Sequence, residues 1–589
     1  MASVVSLVLT AVSPQPLKNE SLETMTHKPA RLLLSSFAIL TLSIAHAQTP
    51  PNAGSLLNET NRALEGRQLP SVVPGAAADD ASSREGTGLT VEVREFRFQG
   101  ATLISNDELQ RAMQPFTGKR LTFDGLRQAA DAIANAYRAK GFLVRTYLPE
   151  QDLTSGVVTI AIVEGKLGGV RIDRSGGGKN ISDDRASAYM LSRQKLGEPV
   201  RPEDLQRAIS LLNDLPGVSA SSLLEPGQKS GESQVVVAVK DTPSVTGSAQ
   251  LDNTGNKATG EGRATVGLNI NSPFGIGDQI QILGNKSIGS AFARLAYSLP
   301  VGVSGLRVTG SVTKLDYDYV LNGNTFTGDA TSAGLRATYP LIRSNQSNLN
   351  VTLGYDRKDF DNQVSGIEIN NKKIDVASAG VSGDYVDGFG GGGITQASLT
   401  YSKGRLDLSG NQQDFNADQA GNGPNRNGDF SKFNIALSRL QRVTDVDTLL
   451  VSINSQTADR NLDSAEKIIV SGPFAVRSFS ASEASADEGT VASIEWQRQF
   501  AHGVQGIAFV DQANFRRDRN AFPASSSPNS YDLMGAGFGI NWTKPGDWSV
   551  RSTIAWRLGE NPARVLATGK DADGTKRDPR FYLTLIKFF

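Results

Sequence analysis

Between Thr242 and Phe589 the chain shows no helical periodicity. These 347 residues (589 − 242) are written in short runs that alternate apolar and polar side chains, broken by Gly, Asn, Asp and Pro. In SVRSTIAWRL, Val550, Ser552, Ile554, Trp556 and Leu558 take one face, and Arg551, Thr553, Ala555 and Arg557 the other. In TLLVSINS, Leu449, Val451 and Ile453 oppose Leu450, Ser452 and Asn454. A water-soluble sandwich also alternates, but this length, with charges on many inward faces, exceeds an ordinary sandwich. At ~10 residues per strand plus turns, it supports roughly 14 to 18 strands of a transmembrane β-barrel. The final strand, FYLTLIKFF, ends on Phe589, which suits a last strand that pairs with the first.

A barrel must reach its membrane, and the N-terminal region reads as the means. After Lys28 and Arg31 comes the apolar run Leu32 to Ala47, ending Ala45-His46-Ala47. A basic start, an apolar core of roughly fourteen residues and an A-x-A site make a secretory signal peptide. The run falls short of the ~20 residues of a membrane anchor. Met25 is an alternative start, and the mature chain is expected to begin near Gln48. Residues 48–90 are rich in Pro, Ala, Gly and Ser and read as linker, with one short helix expected over Leu56 to Gln68.

A repeat follows. VEVREFRFQG (Val91 to Gly100) is strand-like. Ser105 to Glu108 has capping-box spacing and opens a helix that Pro115 closes. Leu126, Ala129, Ala130, Ile133 and Tyr137 then fall at helical spacing until Gly141. Phe142 to Pro149 and Val157 to Gly165 follow as strands, giving the order β-α-α-β-β. The order recurs: a short strand at Val170 to Ile172, a helix opened by Ser182, and a second with Pro202 in its first turn. Leu205, Ala208, Ile209 and Leu212 repeat the earlier helix face at an offset of 205 − 126 = 79 residues. Ser233 to Asp241 is the last strand. A matched face at a fixed offset marks tandem α+β domains.

At this point the sequence resembles the outer-membrane translocators of two-partner secretion, the haemolysin secretion/activation (ShlB/FhaC/HecB) type. The resemblance rests on Leu251 to Ile280, Ala296 to Tyr319 and Leu533 to Trp542, taken with the paired domains. It implies a signal peptide over 1–47, a plug helix and linker over 48–90, periplasmic POTRA domains over 91–168 and 169–242, and a 16-stranded outer-membrane barrel over 243–589. It also implies that loop six folds back into the barrel, with Val476-Arg477-Ser478-Phe479 as its signature. Arg477 is then expected to pair with Asp511 of Phe509-Val510-Asp511-Gln512-Ala513. Residue chemistry by itself reads Arg477 as a solvated loop arginine, and Ser480 to Glu488 as a solvated segment. Ser478 and Ala513 replace two family glycines, which implies a looser lock; Lys587 departs from the usual apolar residue near the end.

The implied function is to receive an unfolded exoprotein (haemolysin, adhesin or contact-dependent toxin) on the POTRA domains and secrete it through the pore, with activation a further role of the family. Outer-membrane lipid and the barrel-assembly machinery are the other implied partners. The expected receiving surfaces are the second helix and adjoining strand of each unit, through Leu126, Tyr137, Phe142, Leu205 and Leu212. No enzyme, cofactor or metal site is expected. There is no cysteine, the three histidines are scattered, and Gly388 to Gly393 and Asp571 to Gly574 lack the partners a phosphate or calcium site needs. Zero net charge gives no pointer to nucleic acid. The rival readings are a barrel-assembly factor, which usually carries more POTRA domains, and a passive porin, which needs none.

Overall fold

The computed structural model describes residues 50–65 and 90–589, apart from 230, 482, 524, 526, 527 and 566. The expected leader and most of the linker lie outside the described residues. Sixteen antiparallel strands, from Val245–Asp252 to Arg580–Phe588, close into a barrel, with Leu585 opposite Leu251 at the seam. Closure leaves no strand edge unpaired, the condition for a sheet to stand in hydrocarbon. Period two then sorts the side chains. Leu335, Leu353, Leu399, Ile435, Ile494, Trp496, Phe538 and Ile540 face out, while Gln250, Asp252, Arg263, Thr265, Gln456, Glu495 and Asp511 are buried within. Among the described residues no helix is long and apolar enough to cross a membrane.

The strands Asn324–Arg343, Ser347–Val364 and Ile367–Asp387 run 20, 18 and 21 residues. A bilayer needs only about 9–11. The outward face of the middle strand changes along its length from Leu353 and Tyr355 to Arg357, Asp359 and Asp361, so its upper part stands in water.

Two α+β units precede the barrel. In the first, Glu95–Gln99, Val157–Glu164 and Val144–Tyr147 form the sheet, in that order, under the helices Asn106–Met113 and Phe123–Ala139. In the second, Lys166–Asp173, Glu232–Asp241 and Val218–Pro226 form the sheet under Asp183–Met190 and Pro202–Asn213. The strand Val218–Pro226 escaped the sequence reading because its Ser-rich middle hides the alternation. Ser105 stands at its helix N-cap but makes no side-chain cap bond. The Glu108 of the expected capping box instead pairs with Lys140 at 2.6 Å. Ser182 does cap, accepting from the Arg185 amide at 3.3 Å.

The second unit is joined to the turns at one end of the barrel. Arg343 donates through Nε and Nη2 to Asp214 at 2.8 and 2.7 Å, and Arg207 donates to the Pro340 carbonyl at 2.6 Å. Gly277 lies so close to Leu215 that a Cβ would meet its side chain at 2.8 Å. The first unit hangs from the second through Gly165, whose carbonyl accepts from the Val200 amide at 2.8 Å.

Candidate functional site: the lumenal loop and its arginine

The loop of residues 459–487 joins the strands Asp447–Ala458 and Glu488–Gln499 at the barrel end away from the α+β units, and it folds back into the lumen. Its tip carries Val476 and Phe479 into an apolar cluster with Ala513, Phe515, Tyr531 and Leu533 from the wall. The Tyr582 hydroxyl donates to the Phe479 carbonyl at 2.8 Å, so the last strand also holds the tip. Burial of the two flanking side chains fixes where Arg477 must point.

Its guanidinium forks onto Asp511, with Nε 2.8 Å from Oδ2 and Nη2 2.8 Å from Oδ1. The Arg477 amide adds a bond to Oδ2 at 3.1 Å. Nη1 donates to Glu495 at 2.6 Å, and Nη2 to the Ser493 hydroxyl at 3.2 Å. Ser493 in turn donates to Asp511 at 2.7 Å. The guanidinium carbon sits 3.3 Å from the centre of the Phe509 ring. Asp511 is 0% exposed. A fork that stays charged, binds both oxygens and stacks on an aromatic face suits guanidinium and not ammonium.

Arg477, Asp511, Val476, Phe479 and Phe509 therefore come together. Glu495 and Ser493 were missed. Their signal was present: Ser493 lies opposite Asp511 and Glu495 opposite Phe509 in the ladder, and Ile494 and Trp496 alternate with them toward lipid. Ser478 stands where the resemblance implies glycine, and its backbone takes no left-handed turn. Its side chain fits because Gly535 on the wall has none; a Cβ there would lie 2.1 Å from the Ser478 hydroxyl. Ser480 to Glu488 is not a solvated run. Glu483, Ala484, Ala486 and Asp487 are buried, because the whole loop lies inside the barrel. Lys587 pairs with Asp547 beside the Trp548 ring.

The expected receiving residues need correction. Leu126, Tyr137, Leu205 and Leu212 are buried in the cores of their units, so none faces a passing chain. The helical spacing that singled them out is a core signal. Tyr137 donates to Glu164 at 2.8 Å; burial first, and then this bond, raise its phenol above the ordinary value. Phe142 is partly buried, with Arg201 over its ring at 5.4 Å.

A helix also occupies the lumen. It spans Ala53–Glu65, starting three residues earlier than expected, while Gly66 to Gln68 lie outside the described residues. Asn52 and Ser55 cap it reciprocally at 3.0 Å, and Asn362 of the wall accepts from the Ala53 amide at 2.8 Å. Ala53, Leu56 and Leu57 pack against Leu315, Tyr317, Tyr319, Phe360 and Ile374. Arg62 donates to the Ile469 and Phe474 carbonyls of the loop. Among the described residues no group of His, Cys, Asp and Glu could hold a metal ion.

A closed barrel with a lumenal helix and an arginine-pinned loop behind two α+β units has known relatives. Over 561 residues the chain is 25% identical to the heme/hemopexin transporter protein HuxB of Haemophilus influenzae (strain 86-028NP), spanning 92% of this chain and 95% of that one. It is 25% identical over 539 residues to the outer membrane transporter CdiB of Escherichia coli O6:K15:H31, spanning 87% and 88%. The solved structure of CdiB from Escherichia coli matches with a TM-score of 0.69 at 21% identity, over 92% of this chain and 100% of that one. BamA from Haemophilus ducreyi, lacking POTRA domains 1-3, matches at 0.51 and 12%, over 85% and 100%. At those identities the two structures speak for the fold alone. The ShlB-type POTRA domain profile matches residues 91–165. The profile of the haemolysin secretion/activation protein ShlB/FhaC/HecB matches residues 231–542, more than half of the 589. The chain thus belongs to the ShlB/FhaC/HecB family of haemolysin secretion/activation proteins, outer-membrane β-barrel transporters of two-partner secretion.

Proposed function

We propose that the chain takes an unfolded exoprotein from the periplasm by its two α+β units, at 91–168 and 169–242, and passes it through the lumen to fold outside. The observation that carries this reading is how the lumen is filled. Among the described residues it holds the helix Ala53–Glu65 and the loop 459–487, held by side-chain contacts and not by the ladder. Such pieces can leave without opening the barrel. An aqueous pore wide enough for an extended chain is then available. With no nucleotide in that compartment, folding of the cargo outside supplies direction.

With the helix faces buried, the receiving surfaces are sheet edges. Val144–Tyr147 and Val218–Pro226 each end their sheets. Tyr147 and Leu223 stand exposed on them, Leu223 at 64%. An extended segment can add a strand there, with backbone bonds for affinity and these side chains for selectivity.

Ala53→Cys with Asn362→Cys, in a chain with no other cysteine, provides the test. Oxidised, the tethered helix stops release of the partner exoprotein; reduced, release returns. Equal release in both states breaks the reading. Deleting the chain traps the exoprotein in the periplasm with outer-membrane composition unchanged. General loss of outer-membrane proteins assigns barrel assembly instead.

A further inference from the structure

The loop is gripped a second time, at its base and on another wall. Asp463 meets Lys372 at 2.6 Å, and Glu466 meets Lys358 at 2.6 Å and Lys432 at 2.8 Å. Asp463 and Lys372 have side chains only 1% and 3% exposed. The three lysines come from the strands Ser347–Val364, Ile367–Asp387 and Gly428–Arg442. Lys432 also donates to the Glu466 carbonyl at 2.8 Å, and Arg426 approaches Asp463 at 3.9 Å.

This same short segment is also one of the seats of the leading helix, beside the wall and the loop carbonyls that Arg62 reaches. The Ser464 and Lys467 carbonyls accept from the Asn58 side-chain Nδ2 at 3.3 and 2.7 Å, and the Ser464 hydroxyl donates to Asn52 at 2.9 Å. Gly54 lies so near that a Cβ would meet the Ser464 hydroxyl at 2.9 Å and the Ala465 Cβ at 3.2 Å. The Asp463 and Glu466 side chains and the Glu466 carbonyl bind the wall, while the Ser464 and Lys467 carbonyls and the Ser464 hydroxyl bind the helix and its cap. Neither bond set can shift alone.

We propose that Asp463 and Glu466, with Lys358, Lys372 and Lys432, are positioning residues that form a clasp setting the helix's resting seat, so that helix departure follows opening of the clasp and not of the Arg477 pin. The inference rests on the helix being the removable occupant of the pore. Asp463, Glu466 and Lys372 are buried, and withdrawing the two carboxylates from the wall leaves Lys372, Lys358 and Lys432 without the partners that face them, so the seated arrangement is favoured strongly. A loop that only needed anchoring already has Arg477, on a different wall.

The absence of cysteine makes the test direct. Leu57→Cys reports on the helix and Ala475→Cys on the loop tip, each labelled by an impermeant maleimide on the full chain in lipid vesicles. Asp463→Asn with Glu466→Gln is expected to speed labelling at position 57 by about tenfold or more, a modest share of what an unpaired buried charge costs. Position 475 stays slow. Arg477→Ala gives the converse, with 475 fast and 57 slow. The exchange Asp463→Lys with Lys372→Asp restores slow labelling at 57. Position 57 remaining protected in the double neutral variant, or labelling equally fast with the exchange and with Asp463→Lys alone, overturns the proposal. Glu466→Gln alone, nearly isosteric, is read the same way if the double variant fails to form a barrel. Because labelling needs no exoprotein, a released helix without secretion sinks the transport reading and leaves the clasp standing.

Discussion

The tip and the base of the lumenal loop are built with opposite charge polarity. At the tip the loop brings the cation, Arg477, and the wall brings the carboxylates, Asp511 and Glu495. At the base the loop brings the carboxylates, Asp463 and Glu466, and the wall brings lysines. A loop held only by apolar contacts could slide. One held by opposite polarities at its two ends has a single seat, since any exchange of ends sets like charges together at low dielectric. The chemistry differs too. The tip uses a planar fork, which fixes angle as well as distance, while the base uses ammonium groups as point charges. The tip is thus an orienting contact and the base a holding one.

The strongest challenge to this contrast is to remove one partner of the pin. Arg477→Ala or Asp511→Ala strands a buried charge, at a cost of about 3–5 kcal/mol to the seated loop. Each is expected to cut secretion sharply, measured as exoprotein in the medium, and their combination to add little. Wild-type release from both single variants removes the pin from the mechanism. Next in size is Gly535→Ala, whose methyl collides with Ser478. Overpacking of this kind costs about 1–3 kcal/mol. Tryptic cleavage of the loop should quicken, and Ser478→Gly on the same background should restore protection.

Arg477→Lys separates orientation from holding. The ammonium keeps the charge and loses the fork and the Phe509 stack, so loss of secretion should fall clearly short of the alanine variant. The matching change at the base, Lys372→Arg, should be nearly neutral for labelling at position 57, because no fork is used there. Equal damage at the two sites erases the distinction. Smallest is Ser493→Ala, which takes away one hydrogen bond to Asp511, worth about 1 kcal/mol. Slightly faster tip cleavage with secretion intact is the expected result.

Much of this was legible along the chain. Period-two alternation from Thr242 onward announced strands whose two faces meet different media, and the 79-residue offset between Leu126 and Leu205 announced a repeated unit. The same spacing misled on function: Leu126, Tyr137, Leu205 and Leu212 recur because they are core, and the exposed edges beside them carry little periodic signal. Glu495 was readable by alternation once Asp511 was in hand. The clasp was not, because Asp463 and Lys372 are 91 residues apart (463 − 372) and nothing local marks either as buried.

Sequence by itself determined which residues face lipid and which face the lumen, because side-chain direction in a strand is a local property of period two. It also determined that Arg477 stands between two side chains that seek burial. The inward loop, its Arg477–Asp511 pair and a plug helix were implied by the family resemblance and not by local pattern; only the tertiary structure decided which wall the base of the loop meets and how loop and helix contact each other in the lumen. Those choices depend on closure of the barrel, which brings together lysines and carboxylates that share no local pattern. The energy that selects them is the desolvation of charge, and it exists only once the wall is complete.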